Sequence, residues 1–141
     1  MTEWNVNEWN ERNRKTIEDF RANGGNVAGR PLLLLTTTGA KSGRSHTTPL
    51  MYLADGDRLA IFASKGGNPA HPDWYHNLVA NNTVTVEVGG ETFETDAIIA
   101  DSVERDRLYS IQSELHPNFA EYQQKVLRRI PVVILTNKRD A

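Results

Sequence analysis

The chain has 141 residues, 38% of them hydrophobic and 24% charged, the balance of one globular domain whose core can bury roughly two thirds of the unfolded surface. Sixteen Lys and Arg against 18 Asp and Glu give a formal charge of -2, which exerts no global pull on nucleic acid, so any anion site must be local. Zero cysteines exclude disulfides, thiolate catalysis and cysteine-held zinc or iron–sulfur clusters; with no apolar run of membrane-spanning length and a polar Met1 to Asn10, the expected place is the cytoplasm.

In chain order, Glu3 to Arg21 favours a helix with a thin apolar stripe, because Trp9, Ile17 and Phe20 fall within about 80° of one another while Trp4 lies on the other side. Asn23-Gly24-Gly25-Asn26 should stop it, since glycine accepts the left-handed conformation at a helix end. Pro31 to Thr38, an apolar run closing in threonines, reads as a strand buried on both faces. Thr47 to Ala54 and Arg58 to Ala63 flank Asp55-Gly56, a strong turn signal, and should form an antiparallel hairpin. His71 to Asn81 reads as a short helix with Pro72 at its first position.

Thr83 to Val88 alternates, with Val84, Val86 and Val88 on one face, and Gly89-Gly90 turns it into a partner strand from Glu91 to Ala100. Ser102 can cap a helix, with Glu104 in a capping position if the start slips by one, that packs through Val103, Leu108, Ile111 and Leu115. A further helix gathers Phe119, Tyr122, Val126 and Ile130 on one side and halts at Pro131, before a last buried strand from Val132 to Leu135. Hairpins outnumber strand–helix alternations. The expected class is mostly β with flanking helices (α+β), six antiparallel strands curled into a small barrel that removes its own edges, in a single domain comprising an N-terminal helix and linker over residues 1–29 and a barrel over 31–138.

Two stretches carry candidate chemistry. Gly39 to Pro49 combines glycines, Lys41, Arg44, His46 and the hydroxyls of Ser42, Ser45, Thr47 and Thr48; such a turn suits an oxyanion through backbone N–H groups and cations, and equally suits a solvated hairpin tip. It is not the glycine-lysine phosphate loop of nucleotide hydrolases. Ala63-Ser64-Lys65-Gly66-Gly67 then leads into His71-Pro72-Asp73-Trp74-Tyr75-His76-Asn77, where adjacent glycines let a flat ligand approach the main chain beside Trp74, whose plain alternative is core packing. The four histidines match no zinc spacing, so no metal is expected, and no serine sits in a nucleophile elbow. His116, Phe119 and Tyr122 recur every three residues, either as a core stripe or as a pocket wall.

The blocks Leu32 to Gly39, Lys41-Ser42-Gly43, Thr48-Pro49-Leu50, Ala63 to Gly67, His71 to Tyr75, Asn77-Leu78 and Arg128 to Val133, in this order, closely resemble the deazaflavin-dependent nitroreductase and quinone reductase family over nearly the whole chain. That resemblance implies an actinobacterial split-barrel oxidoreductase that passes a hydride from reduced coenzyme F420, an 8-hydroxy-5-deazaflavin, to a quinone, nitroaromatic or other electron-poor acceptor. It implies that Lys41, Ser42, His46, Thr47, Thr48, Pro49, Leu50 and Met51 hold the phosphate and tail of the coenzyme. Phe62, Ala63, Ser64 and Lys65 would line the ring, Asp73, Trp74, Tyr75, His76 and Asn77 would close its other side, and His116, Phe119 and Tyr122 would meet the substrate, with Ser64 and Tyr122 nearest the chemistry. Where relatives that reduce bulky nitroimidazoles often carry tyrosines, this chain keeps only Tyr122, and His46 stands where an arginine is common. Two other readings of the same residues are a non-catalytic carrier of the coenzyme and a split-barrel enzyme that uses FMN. A curled sheet of this size could pair with a second copy, and the first helix could touch a membrane surface through Trp4 and Trp9, although Glu3, Glu8 and Glu11 disfavour an anionic one.

Overall fold

The computed structural model of the chain describes residues 6–25 and 31–136, and its first helix, α1, runs Val6–Ala22. Among the described residues seven strands follow: β1 Leu32–Thr38, β2 Ser45–Asp55, β3 Arg58–Phe62, β4 Thr83–Val88, β5 Glu91–Asp96, β6 Ile98–Ile99 and β7 Val132–Thr136. Between them lie a tight turn at Lys65–Gly67 and the helices α2 Asp73–Ala80, α3 Ser102–Leu115 and α4 Asn118–Gln124.

All the strand pairs are antiparallel, in the order β5-β4-β1-β2-β3-β7-β6. β5 and β6 stand at opposite ends of that order, yet only Ala97 separates them in the chain. Consecutive residues cannot be far apart, so the sheet must curl until its two edges meet, the small closed barrel expected from the hairpins and the class that the family resemblance implied. β2 makes the corner: Ser45 to Met51 pairs with β1 and Tyr52 to Asp55 with β3, so one strand serves both halves.

The expected strand from Glu91 to Ala100 is broken, giving seven strands instead of six. Its first part pairs with β4, its last two residues leave to pair with β7, and Ala97 at the joint donates its N–H to Asn82 O at 2.8 Å. Alternation along β1 sends Leu33 and Leu35 into the barrel, where they meet Ile61, Val84, Val86, Phe93, Val133 and Leu135, and turns Leu32 and Leu34 towards Phe20 and Ile17 of α1. Both faces of β1 are therefore buried, as the continuous apolar run predicts. α1 stops at the expected glycines, with Gly25 N–H donating to Phe20 O at 2.8 Å, and Arg21 reaches across to Glu87 of β4 at 2.9 Å. Trp4 lies outside the described residues, as does the side chain of Trp9; among the described residues no helix is long and apolar enough to cross a membrane.

Three helical expectations are corrected. Pro72 is the cap preceding α2, not its first residue, and α2 contributes Trp74 and Leu78 to the barrel interior. α3 begins after Asp101, whose carboxylate accepts from Glu104 N–H at 2.9 Å, and it buries Leu108, Tyr109 and Gln112 while Val103 and Leu115 are 80% and 60% exposed. The docking face is turned because Arg105 donates to Ile130 O at 2.9 Å and Tyr109 OH to Phe119 O at 2.6 Å, contacts that no helical wheel contains. α4 ends at Gln124, well before Pro131. Gln123 folds the following chain back, accepting from Ile130 N–H and donating to Arg128 O, so Ile130 is buried from a loop.

Candidate active site

α1, the β1–β2 turn, β2, the end of β3, the start of α2 and α4 enclose a cleft of about 1410 Å³. None of the residues of β2 is fully buried although the strand sits mid-sheet, because the stretch from Ser45 to Met51 forms the floor of this cleft. One part of the lining is cationic and hydroxylic: Lys41, Ser42, Ser45, His46, Thr47 and Thr48, together with Asn10, Arg12, Asn13 and Thr16 of α1. Another part is aromatic: Phe62, Trp74, Phe119 and Tyr122. Phe62 and Phe119 meet edge-on with centroids 5.7 Å apart, and Phe119 and Tyr122 at 5.3 Å, so the wall is a chain of rings set against one another.

The β1–β2 turn is held from both sides. Asn77 of α2 is buried, its Oδ1 accepting from Ala40 N–H at 3.0 Å and its Nδ2 donating to Thr37 Oγ1 at 3.2 Å. Gly39 lets Ser42 and His46 fold close over the turn: a Cβ there would lie 2.6 Å from Ser42 Oγ and 2.9 Å from His46 Nε2, and both side chains would have to shift. The idea of a backbone anion nest needs amendment. Gly39 N–H donates to Arg44 O, Gly43 N–H to Gly39 O, Ala40 N–H to Asn77 and Arg44 N–H to Ser42 Oγ, so what the turn mainly offers an anion is Lys41 and its hydroxyls. Thr47 Oγ1 is 2.8 Å from Thr36 Oγ1 across the β1–β2 ladder.

Pro49, Leu50 and Met51 line the cleft beside these groups, as do Ser64, Lys65, Asp73 and His76. Asn77 also lines it, although the two ends of its amide are occupied by the protein. Three expected residues fall outside the lining. Ala63 is fully buried with its N–H on Pro131 O, Tyr75 packs against His71 at 4.7 Å between centroids, and His116 caps α3 instead of joining α4, its ring 6.4 Å from Phe119. The three-residue spacing placed His116 on the same face as Phe119 only if one helix spanned both, and Pro117 starts a new one.

Sequence reasoning missed the part α1 plays. Its Asn10, Asn13 and Ile17 recur at helical spacing and all line the cleft, whereas the sequence reading followed only the apolar stripe of this helix. It also missed Asn118, whose Nδ2 lies 2.9 Å from Tyr122 OH and donates to it, leaving the phenol its own proton.

A family model described as "F420H(2)-dependent quinone reductase" matches residues 9–137. A Mycobacterium tuberculosis protein named as an F420H(2)-dependent quinone reductase is 46% identical over 111 residues, covering 77% of this chain and 74% of its own. The solved structure of an F420-H2 dependent reductase (FDR-A) is 44% identical, with a TM-score of 0.69, covering 75% of this chain and 94% of that one. A second structure, titled as a domain-swapped dimer, is 38% identical with a TM-score of 0.71 over 93% of this chain and 99% of that one. At the level of fold alone, the haem storage protein HutZ of Vibrio cholerae is similar, with 18% identity and a TM-score of 0.60. A match over most of the chain, with the same curled sheet in the solved relatives, places this chain in the F420H(2)-dependent quinone reductase family.

Proposed function

We propose that the cleft binds reduced coenzyme F420 and serves its oxidation by a quinone. The observation that carries this reading is the meeting, in one cleft of about 1410 Å³, of a cationic and hydroxylic wall with an aromatic one, a lining that fits a flat ring bearing a phosphorylated, anionic tail. Lys41, Ser42 and His46 with the following residues of β2 hold the phosphate and tail. Phe62, Ser64, Lys65, Asp73 and Trp74 border the ring, while Phe119 and Tyr122 border the acceptor.

When bound, the reduced coenzyme supplies a hydride, two electrons and one proton, to the acceptor. The protein's share is orientation, exclusion of water and one further proton. Reduction of a quinone carbonyl leaves an oxyanion, and in this reading Tyr122 neutralises it, supported by its oxygen accepting from Asn118, which leaves its O–H to donate to the acceptor. The relative titled as a domain-swapped dimer supports self-association as part of this reading, to be tested by sedimentation of the pure chain.

The test is titration with reduced coenzyme F420 and, separately, with FMN, followed by turnover of a menadione-like quinone. Tight binding of the deazaflavin alone and catalytic turnover are expected; FMN preference would overturn the cofactor assignment, and binding without turnover would leave a carrier. Tyr122→Phe should lower kcat by roughly 10²-fold with coenzyme affinity preserved, and an unchanged kcat would remove Tyr122 from the chemistry.

A further inference from the structure

Arg128 lies in the loop after α4, is not among the residues that line the cleft, and makes four interactions with the segment that carries Ser64. Its Nε donates to Asn68 O at 3.1 Å, Nη1 to Ala63 O at 3.1 Å and to His71 Nδ1 at 3.0 Å, and Nη2 to Ser64 O at 2.9 Å. Among the described residues no carboxylate pairs with it. A guanidinium whose fork is spent on main-chain carbonyls is setting a backbone path, and only the planar fork of arginine can reach so many acceptors at once.

The path it sets needs holding. Lys65, Gly66 and Gly67 have φ of 48°, 62° and 83°, three successive residues in the left-handed region, the first of which is not glycine. Gly67 also packs close to α4, a Cβ there lying 3.3 Å from Tyr122 Cα. Arg128 grips carbonyls on both sides of this turn. In a trans peptide the N–H points opposite the C=O, so fixing Ala63 O on the guanidinium turns Ser64 N–H away from it.

We propose that Arg128 is a positioning residue for the site: by fixing the carbonyls of Ala63, Ser64 and Asn68 it sets how the Lys65–Gly67 turn presents Ser64 to the cleft. The proposal rests on the reading that the coenzyme ring lies against Ser64, and it extends that reading to a residue that touches no ligand.

Two variants test it. Arg128→Lys keeps the charge and loses the fork; Arg128→Met loses both, and if it fails to fold, the lysine variant decides. Hydrogen exchange on the coenzyme-free protein should rise about tenfold or more across residues 63–71 in both variants, with β3 and β7 at wild-type rates. Coenzyme Kd, read from deazaflavin fluorescence, should weaken about tenfold in both. Wild-type exchange and Kd in Arg128→Lys would overturn the proposal in favour of charge alone, and exchange rising evenly through β3 and β7 would overturn it in favour of general structural support. Failure of the wild-type protein to bind the coenzyme would sink the functional reading, while the exchange data would still decide whether Arg128 clamps the turn.

Discussion

Two tyrosines beside the aromatic wall have opposite fates. Tyr109 is buried against Phe62 and Phe119, donates to Phe119 O, and is pushed up to about 12 by burial, so it keeps its proton as a structural tie between α3 and α4. Tyr122 is half-buried, faces the cleft and has a donor at its oxygen. His71 is fixed by a similar argument: Arg128 can only donate, so Nδ1 accepts and the neutral ring carries its proton on Nε2. Burial first, then the charges of Arg128 and His76, lower its pKa from the ordinary 6.5. The unfolded chain therefore binds this proton more readily, so the contribution is fully present above pH 6.5 and is lost as pH falls from there through the folded-state value. An NMR titration of the ring should give a midpoint below 6.5; a midpoint at or above it would contradict the Arg128 contact. The loop residues were legible as a glycine-rich bend, but the partner that holds them lies about sixty positions away and carries no local signal.

At the scale of elements, the strands were read well and the helices less so. Strand alternation is strictly tied to which face is buried, and β4 follows it with Val84 and Val86 inside. α3 offered an apolar arc of Val103, Leu108, Ile111 and Leu115, yet it buries Leu108, Tyr109 and Gln112, the face on which Tyr109 and Arg105 donate hydrogen bonds to the carbonyls of Phe119 and Ile130. One consequence is Gln112, 1% exposed with neither end of its amide bonded. A buried amide without partners costs stability, so Gln112→Met should raise the unfolding free energy by about 1–3 kcal/mol, measured by urea denaturation. A loss instead would mean that the amide is satisfied by water. The end of α4 was likewise hidden: Val126 and Ile130 have helical spacing, but Gln123 bridges to Arg128 and Ile130 and turns the chain out of the helix.

At the scale of the molecule, closure of the sheet turns on Ala97, which is 6% exposed inside the barrel at the junction of the two sheet edges. A larger side chain must displace the core residues packed around it, so Ala97→Leu should cost about 1–3 kcal/mol by overpacking, visible as a lower denaturation midpoint with an unchanged slope. A neutral effect would show that the edges meet loosely. The sequence by itself determined the hairpins, the doubly buried β1, the barrel class and the cationic and aromatic stretches, because turn chemistry and period-two patterning act between near neighbours. Only the tertiary structure decided that α1 walls the cleft, that His116 and Tyr75 stand outside it, and that Asn77 and Arg128 hold the two loops. The Asn77 and Arg128 outcomes depend on hydrogen bonds to backbone atoms far along the chain, and every residue's backbone looks alike until the fold brings it near; the α1 outcome depends on packing of Phe20 and Ile17 against Leu32 and Leu34, which no local pattern pairs.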